Sequence, residues 1–323
     1  MRALLTGGAG FIGSHLADAL LAQGHHVHVL DDLSTGSIDN IHHIRDHDRF
    51  ELTIGSAIDE PLVAELVDGA DVIYHLAAAV GVDLIVESPV RTIQTNVHCT
   101  EVVLAEAAKK STPVLIASTS EVYGKSTQLP FHEDGDLVMG ATTKGRWAYA
   151  CSKAIDEFLA VAYWQERKLP TLVVRLFNTV GPRQTGQYGM VVPRFIRSAL
   201  SNRDLQVFGD GDQSRCFGHV DDAVRALIGL VESGSHYGEV FNVGSTEEIT
   251  IRGLAERVIA ATESTSEIIT VPYDVAYARG FEDMRRRIPD TTKINEALGW
   301  RAELTLDDIL RDVVAFEKTR ALG

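Results

Sequence analysis

Cysteine is scarce in this 323-residue chain, which has only Cys99, Cys151 and Cys216. An odd count with no short metal-type spacing excludes a disulfide framework and gives no reason to expect a metal. Aromatic residues are few, at 7%, and basic residues are outnumbered, 30 Lys and Arg against 45 Asp and Glu. The resulting net charge of −15 repels a polyanion, so nucleic acid is not expected as a partner. No apolar run reaches the roughly 20 residues that a membrane helix needs. Arg2-Ala3-Leu4-Leu5-Thr6 leads straight into a glycine turn rather than into a long apolar stretch with a cleavage site, and a reducing cytoplasm is the expected compartment. What is present is an apolar fraction of 45%, enough to bury one large or two modest domains.

Short apolar runs at Ala3–Leu5, Val27–Leu30, Val72–Leu76, Val114–Ala117 and Leu172–Leu176 read as strands buried on both faces. Helical stripes fit between them, one through Ile12, Leu16, Leu20 and Leu21 and another through Val102, Val103 and Ala107. This alternation predicts an α/β fold with a doubly wound parallel sheet of Rossmann type, its crossovers right-handed. The rhythm stops after Leu176, where a turn-rich stretch contains one helix, Pro193 to Ser201. The expected organisation is a dinucleotide-binding domain over 1–180, with a returning segment near 217–243, and a smaller α/β substrate-binding lobe over 181–323.

Directly after the first strand comes Thr6-Gly7-Gly8-Ala9-Gly10-Phe11-Ile12-Gly13. Glycines at Gly7, Gly10 and Gly13 let backbone approach a pyrophosphate and let helix pack closely on strand, while the helix N-terminus supplies free N–H groups. Asp31 and Asp32 stand at the end of the second strand, where an acid suits a ribose diol and repels a 2′-phosphate, favouring NAD over NADP. Ser34 or Thr35 can serve there as a turn cap.

Ser118-Thr119-Ser120-Glu121 follows the fourth run, at the strand ends where open parallel sheets bind ligands. Tyr149 and Lys153 are four apart, so on a helix they share a face, and the ammonium is expected to lower the phenol pKa and make Tyr149 a base.

These motifs, with Leu76-Ala77-Ala78, Asn96, Ser118 to Gly124, Arg175-Leu176-Phe177-Asn178, Gly181-Pro182-Arg183, Gly209-Asp210-Gly211 through Arg215, and Val220-Asp221-Asp222, occur in order along the chain. It resembles the nucleotide-sugar branch of the extended short-chain dehydrogenase/reductase family over essentially its whole length. The resemblance implies a tightly held NAD recycled in each turnover, Tyr149 as base, Lys153 on the nicotinamide ribose and Thr119 on the sugar 4-hydroxyl. It adds Phe11, Ile12, Gly36, Ser56, Ala57, Asn96 and Ser118 to the cofactor set. Gly55-Ser56-Ala57 lacks the acidic residue usual in the family, which leaves only Ser56 to reach adenine from that side.

Oxidation at C4 opens several reactions, and the residues beside Thr119 discriminate among them. In the family's 4,6-dehydratases the triplet is Thr-Asp-Glu, whereas Ser120 here is too weak an acid to expel the 6-hydroxyl. Thr119 to Gly124 resembles UDP-glucuronate decarboxylases, whose oxidised substrate is a β-keto acid that loses carbon dioxide once the enolate is stabilised. Tyr149 and Thr119 are expected to bond the enolate oxygen, with Glu121 and Ser120 helping a proton to C5, or Glu121 only positioning substrate. Hydride return gives UDP-xylose, and early release gives the 4-keto pentose. A 4-epimerase is the alternative, then a 4,6-dehydratase, and more remotely a non-catalytic NAD-binding regulator. Thr142 to Trp147 departs from the family's decarboxylases; Lys144 and Arg146 either hold a sugar carboxylate or belong to a solvated loop, the reading preferred from sequence.

A diphosphate suits the guanidinium fork, and Arg183, Arg194, Arg215, Arg285 and Arg287 are the expected clamps, with Asn178, Val192 and Val207 completing the nucleotide-sugar site. A homodimer is expected through the Tyr149 helix and the helix from Asn96 to Lys109, with Ile155, Phe158, Leu159 and Ala162 as the seam.

Overall fold

Strand Arg2–Thr6 (β1) lies in the interior of the sheet, its four residues after Arg2 all buried, as expected of a strand covered on both faces. The computed structural model describes residues 1–79, 89–185, 190–272, 284 and 286–320. After β1 come Phe11–Ala22 (α1), His26–Asp31 (β2), Phe50–Ile54 (β3), Glu60–Asp68 (α2), Val72–His75 (β4), Pro89–Lys110 (α3), Val114–Thr119 (β5), Trp147–Arg167 (α4) and Thr171–Leu176 (β6). With the later strand Glu239–Val243 (β11) they form a seven-stranded sheet in the order β11-β6-β5-β4-β1-β2-β3, every neighbouring pair parallel. The order reverses between β1 and β4, which opens a crevice at the carboxyl ends of those strands.

Each face of the sheet has its own apolar layer. Leu16, Leu20 and Leu21 of α1 pack with Val224, Leu227 and Val231 of Val220–Ser233 (α6) over Leu5, Val29 and Phe241. Val102, Val103 and Ala107 of α3 pack with Ala160 of α4 over Ile73, Ile116 and Val173. β3 is not among the runs read from sequence, because Phe50-Glu51-Leu52-Thr53-Ile54 interrupts its apolar residues with polar ones, as suits a half-exposed edge strand.

The second lobe is built from Val191–Leu200 (α5), Leu205–Phe208 (β8), Ile251–Thr262 (α7), Ile268–Val271 (β13) and Leu306–Arg320 (α9). Phe195, Ile196, Leu254, Val258, Ile309 and Val313 form its core. Helix α5 begins two residues before the expected Pro193 because Val191 and Val192 extend the same apolar stripe. Short pairs complete the connection: Thr179–Val180 (β7) with Gly218–His219 (β10), and Ser214–Cys216 (β9) with Glu248–Thr250 (β12). The chain crosses back twice, since α6 and β11 join the first layer and so do Ile294 of Thr292–Leu298 (α8) and Trp300. None of the described helices is long and apolar enough to cross a membrane.

Candidate active site

A cavity of about 1270 Å³ runs from the glycine turn across the ends of β1, β4 and β5 and down to the second lobe. At its head the chain turns sharply: Gly7 has φ +74°, and a Cβ there would meet the Ala77 amide nitrogen at 2.8 Å. A Cβ on Gly13 would lie 2.3 Å from the Gly7 carbonyl oxygen, so the helix can start this close only with glycine. Gly10 is the N-cap of α1 without a side-chain cap, and Phe11, Ile12 and Gly13 line the cavity with no acidic residue in that first turn. The N-terminal N–H groups and the positive end of the helix dipole therefore face the space where a pyrophosphate would lie.

The two acids at the end of β2 have different tasks. Asp31 is buried, its Oδ2 accepting from Ala9 N at 2.9 Å and its Oδ1 from Leu33 N at 2.8 Å, so it braces the glycine turn. Exposed Asp32 accepts from Ser34 N at 2.9 Å and lines the cavity with Ser34, Thr35 and Gly36, as a ribose partner would. Asn40, unremarked in the sequence, donates to the Ala9 carbonyl at 2.9 Å and ties the same turn from outside. Ser56, Ala57, Leu76, Ala77 and Ala78 continue the wall. The residues present fit a dinucleotide.

Deeper in, the hydroxyls and charges converge. Thr119 closes β5, and its Oγ1 accepts from Glu121 N at 3.2 Å while pairing with the Tyr149 hydroxyl. Ser118 also lines the cavity, but its hydroxyl donates to Glu157 at 2.5 Å, and Glu157 is held by Arg175 from β6 at 2.7 Å. Tyr149 is nine-tenths buried, and its phenol is pushed up by burial, then by the charges of Glu121 and Asp156. Lys153 was expected to lower that phenol. In the structure its ammonium is buried and bonded to Asp156 Oδ2 at 2.7 Å, so the favourable charge is spent on a neighbour one turn along α4.

Glu121 is the hub of a charge cluster. Its Oε1 lies 2.8 Å from Arg287 and 3.5 Å from Arg146. Burial would raise this carboxyl, but Arg287, Arg146 and Arg215 outweigh it and the group is held below the ordinary glutamate range. Three buried guanidiniums thus lie around one partly buried carboxylate, leaving an excess of positive charge inside an acidic protein. Arg146, preferred above as part of a solvated loop, is buried, and the ring of Trp147, itself buried, sits 5.7 Å from its guanidinium carbon. The legible signal was the spacing: Arg146, the N-cap of α4, is three residues before Tyr149.

The other sequence-selected residues divide. Asn178, Arg183, Val192, Arg194 and Arg215 line the cavity with Ser120, Glu121 and Arg287. Arg183 reaches back to Asp18 of α1 at 2.7 Å, and Arg194 stacks over Phe208 at 4.2 Å. Val207 does not face the cavity: alternation along β8 turns it into the lobe core, and its neighbour Phe208 lines the wall. Asn96 is also away from the wall, its amide accepting from Ala79 N at 2.7 Å and donating to Ser152 at 3.1 Å, which fixes the end of the β4 loop against α4. Arg285 lies outside the described residues. Phe208, Gln213 and Phe217 line the cavity without having been selected from sequence, since nothing in their spacing marks them.

Below the site His75 bridges two threonines. Thr100 donates to the Asn96 carbonyl at 3.1 Å and so accepts from His75 Nε2, 3.1 Å away. The other nitrogen, Nδ1, accepts from the Thr6 hydroxyl at 2.7 Å. Burial, then the Lys153 charge, lowers His75 to about 3 and keeps the ring neutral.

Comparison with known proteins places this geometry. The chain is 41% identical to a UDP-N-acetyl-alpha-D-glucosaminuronate decarboxylase of Bacillus cytotoxicus, covering 97% of this chain and 96% of the relative. It is 36% identical to UDP-glucuronic acid decarboxylase 1 of Danio rerio, covering 98% of this chain and 72% of that one. A solved UDP-glucuronic acid 4-epimerase of Bacillus cereus, in complex with UDP-glucuronic acid and NAD, superposes with a TM-score of 0.89 at 26% identity, over 99% of this chain and 100% of the other. Residues 4–313 match the family model described as GDP-mannose 4,6 dehydratase. With its parallel Rossmann sheet, glycine turn and Thr119–Tyr149–Lys153 set, the chain belongs to that family, in the nucleotide-sugar branch of the extended short-chain dehydrogenases/reductases.

Proposed function

We propose that this protein is an NAD-dependent decarboxylase of a UDP-linked hexuronate, with UDP-glucuronate the substrate favoured. The observation that carries the reading is the Glu121–Arg146–Arg287 cluster, on the cavity wall that also holds Tyr149. A neutral hexose gives no reason to bury so much positive charge, whereas a sugar carboxylate matches it. The names of the Bacillus cytotoxicus and Danio rerio relatives support the same reaction class.

The glycine turn from Gly7 to Gly13 and Asp32 would hold NAD, which would supply hydride-transfer chemistry at C4. Tyr149, hydrogen-bonded to Thr119, takes the 4-hydroxyl proton and afterwards, as a phenol, donates to the enolate oxygen that develops when carbon dioxide leaves. Thr119 orients the same oxygen. Glu121, held ionised by its arginines, orients those arginines and, with Ser120, holds the water that gives C5 its proton after carbon dioxide leaves, rather than donating a proton of its own. Ser120 is buried beside it and carries no acid strong enough to expel a hydroxyl, which disfavours dehydration. Arg215, Arg194 and Arg183 are assigned to the nucleotide diphosphate.

A 4-epimerase is the second reading, because the Bacillus cereus epimerase carries UDP-glucuronic acid and NAD on the same scaffold. NMR of the protein mixed with NAD and UDP-glucuronate separates the two, and a parallel sample with the 2-N-acetyl uronate asks which C2 group is accepted. Loss of the C6 carbon supports decarboxylation, and UDP-galacturonate overturns it in favour of epimerisation.

The protein is further proposed to act as a homodimer. Val90 and Ile93 of α3 and Ile155 and Phe158 of α4 are exposed on adjacent helices, while Leu159 turns inward to the core. The three unpaired cysteines suit a reducing cytoplasm.

A further inference from the structure

The stripe through Tyr149 and Lys153 continues one turn later to Asp156, which is fully buried. One carboxylate oxygen is 2.7 Å from the Lys153 ammonium. The other faces Thr100 of α3 without completing a hydrogen bond. A carboxylate so enclosed is costly unless its charge is used, and among the described residues the cation bonded to it is Lys153, one turn along the helix from Tyr149.

We propose that Asp156 is a positioning residue: while the dinucleotide site is empty it holds the Lys153 ammonium to itself and away from the phenol, so that Tyr149 becomes a base only when the cofactor is seated. A bound nicotinamide ribose would compete for the lysine, and the positive ring would add the charge that the empty site lacks. This rests on the reading of Tyr149 as the base and is independent of which sugar is the substrate.

The surroundings leave Asp156 in control of this charge. Glu157 on the same helix is neutralised by Arg175 from β6. From β4, His75 is neutral, and from α3, Cys99 is pushed up to about 12, chiefly by burial. Glu121, which also faces Tyr149, is occupied by Arg287 and Arg146. Burial tends to raise the Asp156 carboxyl, and the Lys153 charge and hydrogen bond oppose that rise. Removing the Asp156 charge should therefore favour the phenolate, because a negative neighbour is lost and the lysine is freed.

The test is the ultraviolet titration of tyrosinate in the full-length protein, with and without added NAD, subtracting Tyr149→Phe to isolate the one phenol. In the parent, Tyr149 should ionise above the ordinary tyrosine range, and NAD should bring it down. In Asp156→Asn it should ionise at least about one pH unit lower without NAD, with a smaller further drop on adding it. Asp156→Ser, which also removes the charge, should do the same and serves if the amide variant does not fold. Asp156→Glu, which keeps the charge, should titrate with the parent. If both neutral variants titrate with the parent, or only lose thermal stability, the proposal is overturned. The measurement involves no sugar, so decarboxylation with an unmoved titration sinks this proposal alone, and a shifted titration with inert UDP-uronates sinks only the functional reading.

Discussion

The Glu121 carboxylate, from the turn after β5, meets the Arg287 guanidinium, from the segment before α8, at 2.8 Å. A pair drawn from such distant parts of the chain links the turn after β5 to the segment before α8. Removing either partner breaks the shorter of the two ion pairs that Glu121 makes among the described residues. Arg287→Met is expected to lower kcat/KM for a UDP-uronate at least about 100-fold, in keeping with loss of about 3 kcal/mol of charge-assisted binding. Steady-state kinetics checks this, and an unchanged kcat/KM would remove Arg287 from the site.

Glu121 also makes a pH prediction. Its carboxyl is held below the ordinary value of 4.5, so the stabilisation from its ionised form is fully present above 4.5 and is lost as pH falls through the lowered value. The melting-temperature difference between parent and Glu121→Gln should be constant through neutral pH and should shrink only below about 4.5. A difference that changes between neutrality and pH 5 would contradict the ion-pair geometry.

His75 acts in a higher window. Its folded value of about 3 lies below the ordinary 6.5, so protons bind the unfolded chain first and stability declines as pH falls from 6.5 toward 3. The slope from this one group approaches about 1.4 kcal/mol per pH unit. Denaturant melts of parent and His75→Asn between pH 7 and 5 should differ by that slope, the variant being flatter. Parallel curves would show that the ring is not buried neutral.

Gly13→Ala tests the dinucleotide turn. A Cβ there, 2.3 Å from the Gly7 carbonyl oxygen and 2.7 Å from the Gly8 Cα, cannot be accommodated without moving backbone. We expect a loss of about 2 kcal/mol in denaturant unfolding and purification without retained NAD. Wild-type cofactor content in the variant would show that the turn does not bear on binding.

Phe158 tests the assembly. It is 71% exposed, so Phe158→Glu should leave the monomer fold intact while placing two charges face to face across a symmetric seam. Sedimentation velocity at micromolar concentration should show the parent as a dimer and the variant as a monomer. A monomeric parent would refute the interface.

The sheet was legible because strands covered on both faces are almost purely apolar, and the half-exposed β3 was missed for the complementary reason. The glycine turn was legible because only glycine satisfies its distances at Gly7 and Gly13. Individual side chains were harder. Val207 and Phe208 differ by one residue in register, and sequence cannot say which of two apolar neighbours faces the cavity. Arg146 looked solvated because its neighbourhood is polar in sequence, yet the fold brings Glu121 and Trp147 to it. Lys153 was expected to serve Tyr149 by helical spacing, but the same spacing rule brings Asp156 to Lys153, and an anion at contact distance takes the ammonium.

On the last strand of the sheet, Asn242 accepts from the Tyr123 hydroxyl at 2.8 Å and donates to the carbonyls of Phe131 and Asp290 at 2.9 and 3.2 Å. One amide therefore fastens the stretch after Thr119 to the stretch that presents Arg287. During synthesis the glycine turn, Tyr123, Phe131 and Tyr149 all leave the ribosome long before Asn242 and Asp290 exist, and the Glu121–Arg287 pair forms only when nearly the whole chain has emerged. A product cut short before Asn242 would have the nucleotide turn, the phenol and Arg146, but would lack Arg287, the arginine nearest Glu121.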